Sequence, residues 1–246
     1  MSKGEHKMDR LANNEKLLNF LVYSYFGCDI KELADGGKKK CARRAYLDLA
    51  RTVKYKYSSS ELDKAKKDPD KCEYRNMQNN TITNTCQNLI SSIENYPGDN
   101  TDFDSWHKNE CQKIQDTMND TKLDNGEKLL KEDFTFGQAQ KWVNMTLKYL
   151  WLLDMLPKGI SAEDLHVPID SFILEALKND NSDISDISCK DGTYKYQGEA
   201  WSQLTTDNYD TIQKEIRKVA KKKENNTPIE WESTAWIKVA KERSND

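Results

Sequence analysis

Apolar residues recur every three or four positions along the chain and seldom alternate with polar ones, so the pattern is helical almost throughout. Leu17, Leu18, Leu21 and Val22 mark one face of a helix predicted over 14–25, with Gly27 just past its end. A second helix is predicted over 38–57, after the Gly36-Gly37 break. Others follow over 82–93, 104–118, 137–153, 167–177, 209–223 and 229–243. The segments 68–70, 97–102, 120–126 and 179–192 are rich in Asn, Asp, Ser and Gly and read as loops. There is no internal repeat. The expected fold class is all-α.

The chain has 246 residues, the size of one large domain or of two interlocked lobes. Its mean hydropathy of −0.92 and 32% charged residues lean toward disorder. Six Trp, eleven Tyr and six Phe pull the other way, because large aromatics stabilise chiefly when buried or stacked. A thin apolar core is expected. The net charge of −3 excludes a polycation that binds by bulk charge. No apolar run approaches the roughly 20 residues needed to span a bilayer, and MSKGEHKMDR lacks the apolar core of a secretory signal. A cytoplasmic monomer without membrane contact is the expectation.

Cys28, Cys41, Cys72, Cys86, Cys111 and Cys189 are widely and irregularly spaced, and His6, His107 and His166 stand apart from them in sequence. A structural zinc or an iron–sulfur cluster calls for clustered ligands, so neither a metal nor another cofactor is expected, and the thiols read as reduced.

Charge is uneven. Between positions 38 and 56 lie Lys38, Lys39, Lys40, Arg43, Arg44, Arg51, Lys54 and Lys56 against the single acid Asp48, with Tyr46, Tyr55 and Tyr57 interleaved. Such a run is either a solvated helix face or a surface that tracks phosphates, with Lys39, Arg43 and Arg44 as its DNA contacts. A second basic run, 214–223, ends in three lysines.

The most informative stretch is DFTFGQAQKWVNMTLKYLWLL, 133–153. Read as a helix from Gln138, it carries Trp142, Val143, Met145, Leu147, Leu150, Trp151 and Leu153 around most of its circumference, and so should be largely buried. Lys141, Asn144 and Lys148 fall on one narrow stripe. A buried ammonium without a partner is costly, so the stripe must face water, an acid or a ligand. Asp170, in LHVPIDSFIL, is a carboxylate in an apolar setting. It suits the N-cap of a helix starting at Ser171 or Phe172, and equally an acid beside the lysine stripe.

FGQAQKWVN (136–144) followed by VPID (167–170) resembles the helix-hairpin-helix DNA glycosylase superfamily, whose hairpin reads L-P-G-V-G-x-K-x-A-[ND] before a V-D or P-V-D motif. Gly137 matches the first hairpin glycine, Lys141 the lysine, Asn144 the polar residue and Asp170 the aspartate. Phe136 replaces the proline and Ala139 the second glycine, and 29 residues separate Lys141 from Asp170. These departures resemble divergent archaeal 8-oxoguanine glycosylases and phage-defence glycosylases that remove glucosylated cytosines. The resemblance covers about 134–174. It implies a two-lobed helical fold with a nonstandard hairpin, and base excision from duplex DNA with Lys141 and Asp170 as catalytic residues.

Such an enzyme holds an extruded base in a pocket and breaks its N-glycosidic bond through an oxocarbenium-like sugar. Asp170 would stabilise that cation. Lys141 would attack C1′ as a neutral amine, a form that burial and the nearby cation Lys148 favour, or serve only as a phosphate or base contact. Amides of the hairpin, Gly137, Gln138 and Gln140 among them, would bind phosphates, with Lys148 as a further contact. Trp231 and Trp236, with Glu230 and Glu232 as acceptors beside them, are base-pocket candidates, as are Trp142 and Asn144. The same tryptophans read equally well as core. The reading from another class is a noncatalytic helical module that binds nucleic acid or protein, and a third is a helical regulator in which Lys141 and Asp170 form a structural ion pair.

Overall fold

In the computed structural model, which describes residues 3–64, 68–98, 102–180, 184–223 and 227–244, 67% of the chain is helix and 6% strand. The helices are α1 (Lys3–Phe26), α2 (Ile30–Ala34), α3 (Lys38–Leu49), α4 (Ser59–Lys64), α5 (Pro69–Glu94), α6 (Phe103–Asp120), α7 (Phe136–Leu152), α8 (Ser171–Asn179), α9 (Thr206–Lys222) and α10 (Pro228–Ser244). An antiparallel hairpin of β1 (Ile187–Lys190) and β2 (Thr193–Tyr196) joins α8 to α9. The all-α class follows. Among the described residues, no helix is long and apolar enough to cross a membrane.

The centre of the core is α7, buried from Phe136 to Leu150 except at Lys148. It packs chiefly on α3 and α6. Against α3, the Trp142 indole N–H donates to Ala42 O at 2.9 Å and its ring meets Tyr46 at 4.8 Å between centroids. A capping box starts the helix: Thr135 Oγ1 accepts from Gln138 N (3.1 Å) and Gln138 Oε1 accepts from Thr135 N (3.0 Å). A smaller apolar cluster, Leu62, Tyr74, Leu123 and Leu129, lies under the segment that links α6 to α7.

Several boundaries differ from the periodicity. The helix over 38–57 stops at Leu49 and passes through a 3-10 turn, Ala50–Thr52, into extended chain. There Lys56 N donates to Leu129 O and Lys131 N to Lys54 O, a pairing that Val53, Tyr55 and Tyr57 suit. α5 begins at Pro69, not near 82, because Asp68 caps it ahead of a proline at its first position. α8 begins at Ser171, not 167, because Pro168 disfavours helical backbone at Val167. The loop over 179–192 contains β1, turning at Asp191-Gly192 with φ of 51° and 70°, a two-residue hairpin signal. On α1, only Val22 of the four expected core residues is buried. Leu17, Leu18 and Leu21 are exposed, while Tyr25 and Phe26 at the end of the helix reach Arg44 and Tyr149. What leads into Gly137 is the looped segment 121–135 and not a tight turn between two helices.

Candidate functional site

Lys141 projects from the second turn of α7 and Asp170 caps α8. The cap spends one carboxylate oxygen: Asp170 Oδ1 accepts from Phe172 N (2.9 Å) and Ile173 N (3.1 Å). Oδ2 is left to face Lys141 Nζ at 2.9 Å, with the Trp236 indole N–H donating to it at 3.4 Å. Lys141 Nζ also donates to Pro168 O (3.4 Å). Burial pushes the Asp170 carboxyl up, but Lys141, the helix amides and Trp236 together hold it below the usual carboxylate range.

Two turns on, Lys148 Nζ lies 2.7 and 2.5 Å from the two oxygens of Glu232, which α10 buries. Burial raises the Glu232 carboxyl despite that partner. Both ion pairs border one cavity of about 480 Å³ between α1, α3, α7, α8 and α10. Its apolar wall is formed by Phe26, Met145, Leu152 and Leu153. Tyr25, Tyr149, Asp48 and Trp236 complete it. The Tyr149 hydroxyl bonds to Asp48 and lies 2.7 Å from the Tyr25 hydroxyl. Burial and Asp48 raise the Tyr149 phenol far above its ordinary value, so it is a donor into this chain. The volume suits one base-sized ligand, and the lining mixes apolar walls with a few placed charges.

Of the proposed catalytic and pocket residues, Lys141, Asp170 and Trp236 meet at this cavity. Trp236 is 37% exposed and stacks on Phe172, 4.9 Å between centroids. Trp142 is core, with its N–H satisfied by Ala42. Trp231 is buried elsewhere, its N–H donating to Asp180 Oδ2 at 3.2 Å. Glu230 turns back to cap its own helix at Thr227. Asn144 points away from the cavity into a buried network. It accepts from His107 Nε2 (2.6 Å) and donates to Gln140 Oε1, Val167 O and the Tyr209 hydroxyl (3.0–3.2 Å).

The hairpin amides are not presented to solvent. Gly137, Gln138 and Gln140 are all buried, and a Cβ on Gly137 would sit 2.3 Å from Trp201 O. The start of α7 is therefore packed against 201–204, and Gln138 Nε2 is spent on Thr52 O (2.8 Å). Lys148 belongs to the cavity. Lys39 is exposed, as are Lys40, Arg51 and Lys54. Arg44 is instead occupied with Asp48 (2.7 Å) and the Tyr25 ring (4.2 Å), and Arg43 lies 5.4 Å from the Tyr46 centroid.

The sequence reading passed over Tyr25, Asp48 and Tyr149. Asp48 is the lone acid of the basic run, a signal that was present, whereas Tyr149, eight positions beyond Lys141, falls about 80° round α7 from it and outside the lysine stripe. Among the described residues, no group of three or more His, Cys, Asp or Glu side chains is placed to hold a metal ion. Comparison with protein-family models, curated proteins and solved structures finds no match.

Proposed function

We propose that the protein is a DNA glycosylase that removes a modified base, an oxidised purine or a hypermodified phage cytosine, in repair or antiviral defence. The observation that carries this reading is the Lys141–Asp170 ion pair on the wall of a base-sized cavity, with Trp236 bonded to the same carboxylate. An extruded nucleotide would place its sugar at Asp170, whose charge stabilises the oxocarbenium-like transition state. Water then adds to C1′ and gives its proton to Asp170. In a bifunctional version Lys141 passes its ammonium proton to the departing base and its amine adds to C1′ instead. The adduct's proton goes to Asp170 and from there to O4′ as the sugar ring opens to the Schiff base.

The test is base release from duplexes carrying 8-oxoguanine and other modified bases, and from phage DNA with and without glucosylated hydroxymethylcytosine, read as alkali-labile sites. At least one substrate should be cleaved. Asp170→Asn should lower single-turnover release by about 10²–10³ or more. Borohydride trapping that Lys141→Gln abolishes marks the bifunctional version, and no trapping in the wild type marks the monofunctional one. No release from any duplex, or a folded Asp170→Asn protein with the wild-type rate, overturns the assignment. The exposed Lys39, Lys40, Arg51 and Lys54 favour a second reading, a noncatalytic nucleic-acid-binding module, which binding without base release would identify.

A further inference from the structure

Breaking a C1′–N bond develops two charges, and the first ion pair addresses only the cation on the sugar. The bond's electron pair leaves with the base, which needs a group of its own. Lys148 is seven positions beyond Lys141 on α7, about 10 Å along the axis. A base lying lengthwise on the helix from Asp170 would reach it. Glu232 takes two of the three ammonium hydrogens of Lys148, through contacts of 2.7 and 2.5 Å. The third is left for the cavity that Lys148 lines, and at 17% exposure the side chain is not free to swing elsewhere.

We propose, resting on the glycosylase reading above, that Lys148 is the leaving-group residue and that Glu232 is the positioning residue that aims it. As the C1′–N bond breaks, its electrons pass to the base, and Lys148 donates to the ring or exocyclic atom where that charge collects. The base takes the Lys148 proton and departs neutral, while the water that adds to C1′ gives its proton to Asp170. Solvent then reprotonates Lys148 and relieves Asp170, so the sum is base–sugar plus water to free base plus sugar. This device helps bases that depart as anions, oxidised or uncharged ones. It gives nothing to a base that is already cationic, such as an N7-alkylated purine. The substrate class is therefore neutral modified bases.

The test uses the full chain and whichever duplex the wild type cleaves. Lys148→Met should slow single-turnover base release by about 10²–10³. Lys148→Arg, which keeps a cation and a donor, should retain at least a tenth of the wild-type rate. Glu232→Gln should lower the rate about tenfold with duplex affinity unchanged, and it carries the test if Lys148→Met does not fold. Arginine and methionine variants that fall equally, a Lys148→Met enzyme at the wild-type rate, or an unchanged Glu232→Gln enzyme would overturn the assignment while leaving Asp170 chemistry intact. Wild-type preference for 7-methylguanine over 8-oxoguanine would overturn the substrate class. A wild type that releases no base fails the glycosylase reading itself, and this inference with it.

Discussion

Gln140 grips Ile169 by both ends of its amide: Nε2 donates to Ile169 O at 3.2 Å, and Oε1 accepts from Ile169 N at 3.3 Å. Gln213 does the same to Val167, at 2.7 and 3.2 Å. Two side chains from α7 and α9 thus take the place of a neighbouring strand for the extended chain that delivers Asp170. A buried backbone group must be paired somewhere, and here no ladder is available. Pro168, between the two, has no N–H to satisfy, and its carbonyl accepts from Lys141.

Replacing either glutamine by leucine keeps the volume. Gln140→Leu strands the N–H and C=O of Ile169, and Gln213→Leu strands the N–H of Val167, whose carbonyl keeps Asn144. Each change should lower the unfolding free energy by about 1–3 kcal/mol, measured in urea. Gln140→Leu should also slow base release, since it frees the strand beside Asp170. Stability equal to wild type in both variants would show that these contacts hold nothing.

Stability should fall below about pH 6.5. His107 and His166 are buried beside each other, ring centroids 4.4 Å apart, and burial holds both below the usual histidine value. Asp104, Asp210, Arg217, Tyr209 and Asn144 surround them; Asp104, Asp210 and the Asn144 carbonyl oxygen favour the charged rings, and burial outweighs them. The unfolded chain takes up protons near pH 6.5 that the folded one refuses, so stability is full above that value and is lost as pH falls toward the folded pKa values. The slope should approach about 1.4 kcal/mol per pH unit for each histidine. Calorimetry between pH 8 and 5 measures it, and a flat melting temperature would contradict it.

Gly137→Ala should be strongly destabilising although alanine is the better helix former. The new methyl would lie 2.3 Å from Trp201 O and 2.9 Å from Leu204 N, both backbone atoms. A cost of about 1–3 kcal/mol follows from overpacking. If Gly137 instead served to bring its amide to a phosphate, the variant would melt normally and lose DNA affinity.

On the basic segment, Lys39, Lys40 and Arg51 are the clean probes, because Arg44 is tied to Asp48 and Tyr25. Changing all three to Ala should weaken duplex binding and reduce the slope of log K against log salt by up to about 3. An unchanged slope removes this face from the interface.

Much of this was legible in the chain. The stripe of Lys141 and Lys148 on an otherwise apolar helix called for water, an acid or a ligand, and Asp170 in VPID offered one acid. Glu232 was harder to place, because nothing local distinguishes it from Glu230. Only the crossing of α10 over α7 decides which acid meets Lys148. Gln140 was expected at a phosphate through the hairpin resemblance, and Asn144 in the base pocket through that resemblance and the lysine stripe, whereas the extended chain that pairs both side chains approaches from 23 to 29 residues away. Exposure of Leu17 and Leu21 was likewise invisible, since periodicity reports an apolar face and not whether a neighbour covers it.

The bond from Trp142 to Ala42 spans 100 residues. At a synthesis rate of about 5–20 residues per second, the inner face of α3 waits roughly 5–20 s on the ribosome before α7 is made to cover it. α5, made earlier, can pack on one side of α3 in that interval, but the side that carries Ala42 and Tyr46 to Trp142 has no α7 to meet. The first half of the molecule thus holds only the partial core of α3, α5 and α6 until the central helix arrives, and a nascent chain stalled before residue 136 leaves exposed the apolar surface that α7 later covers.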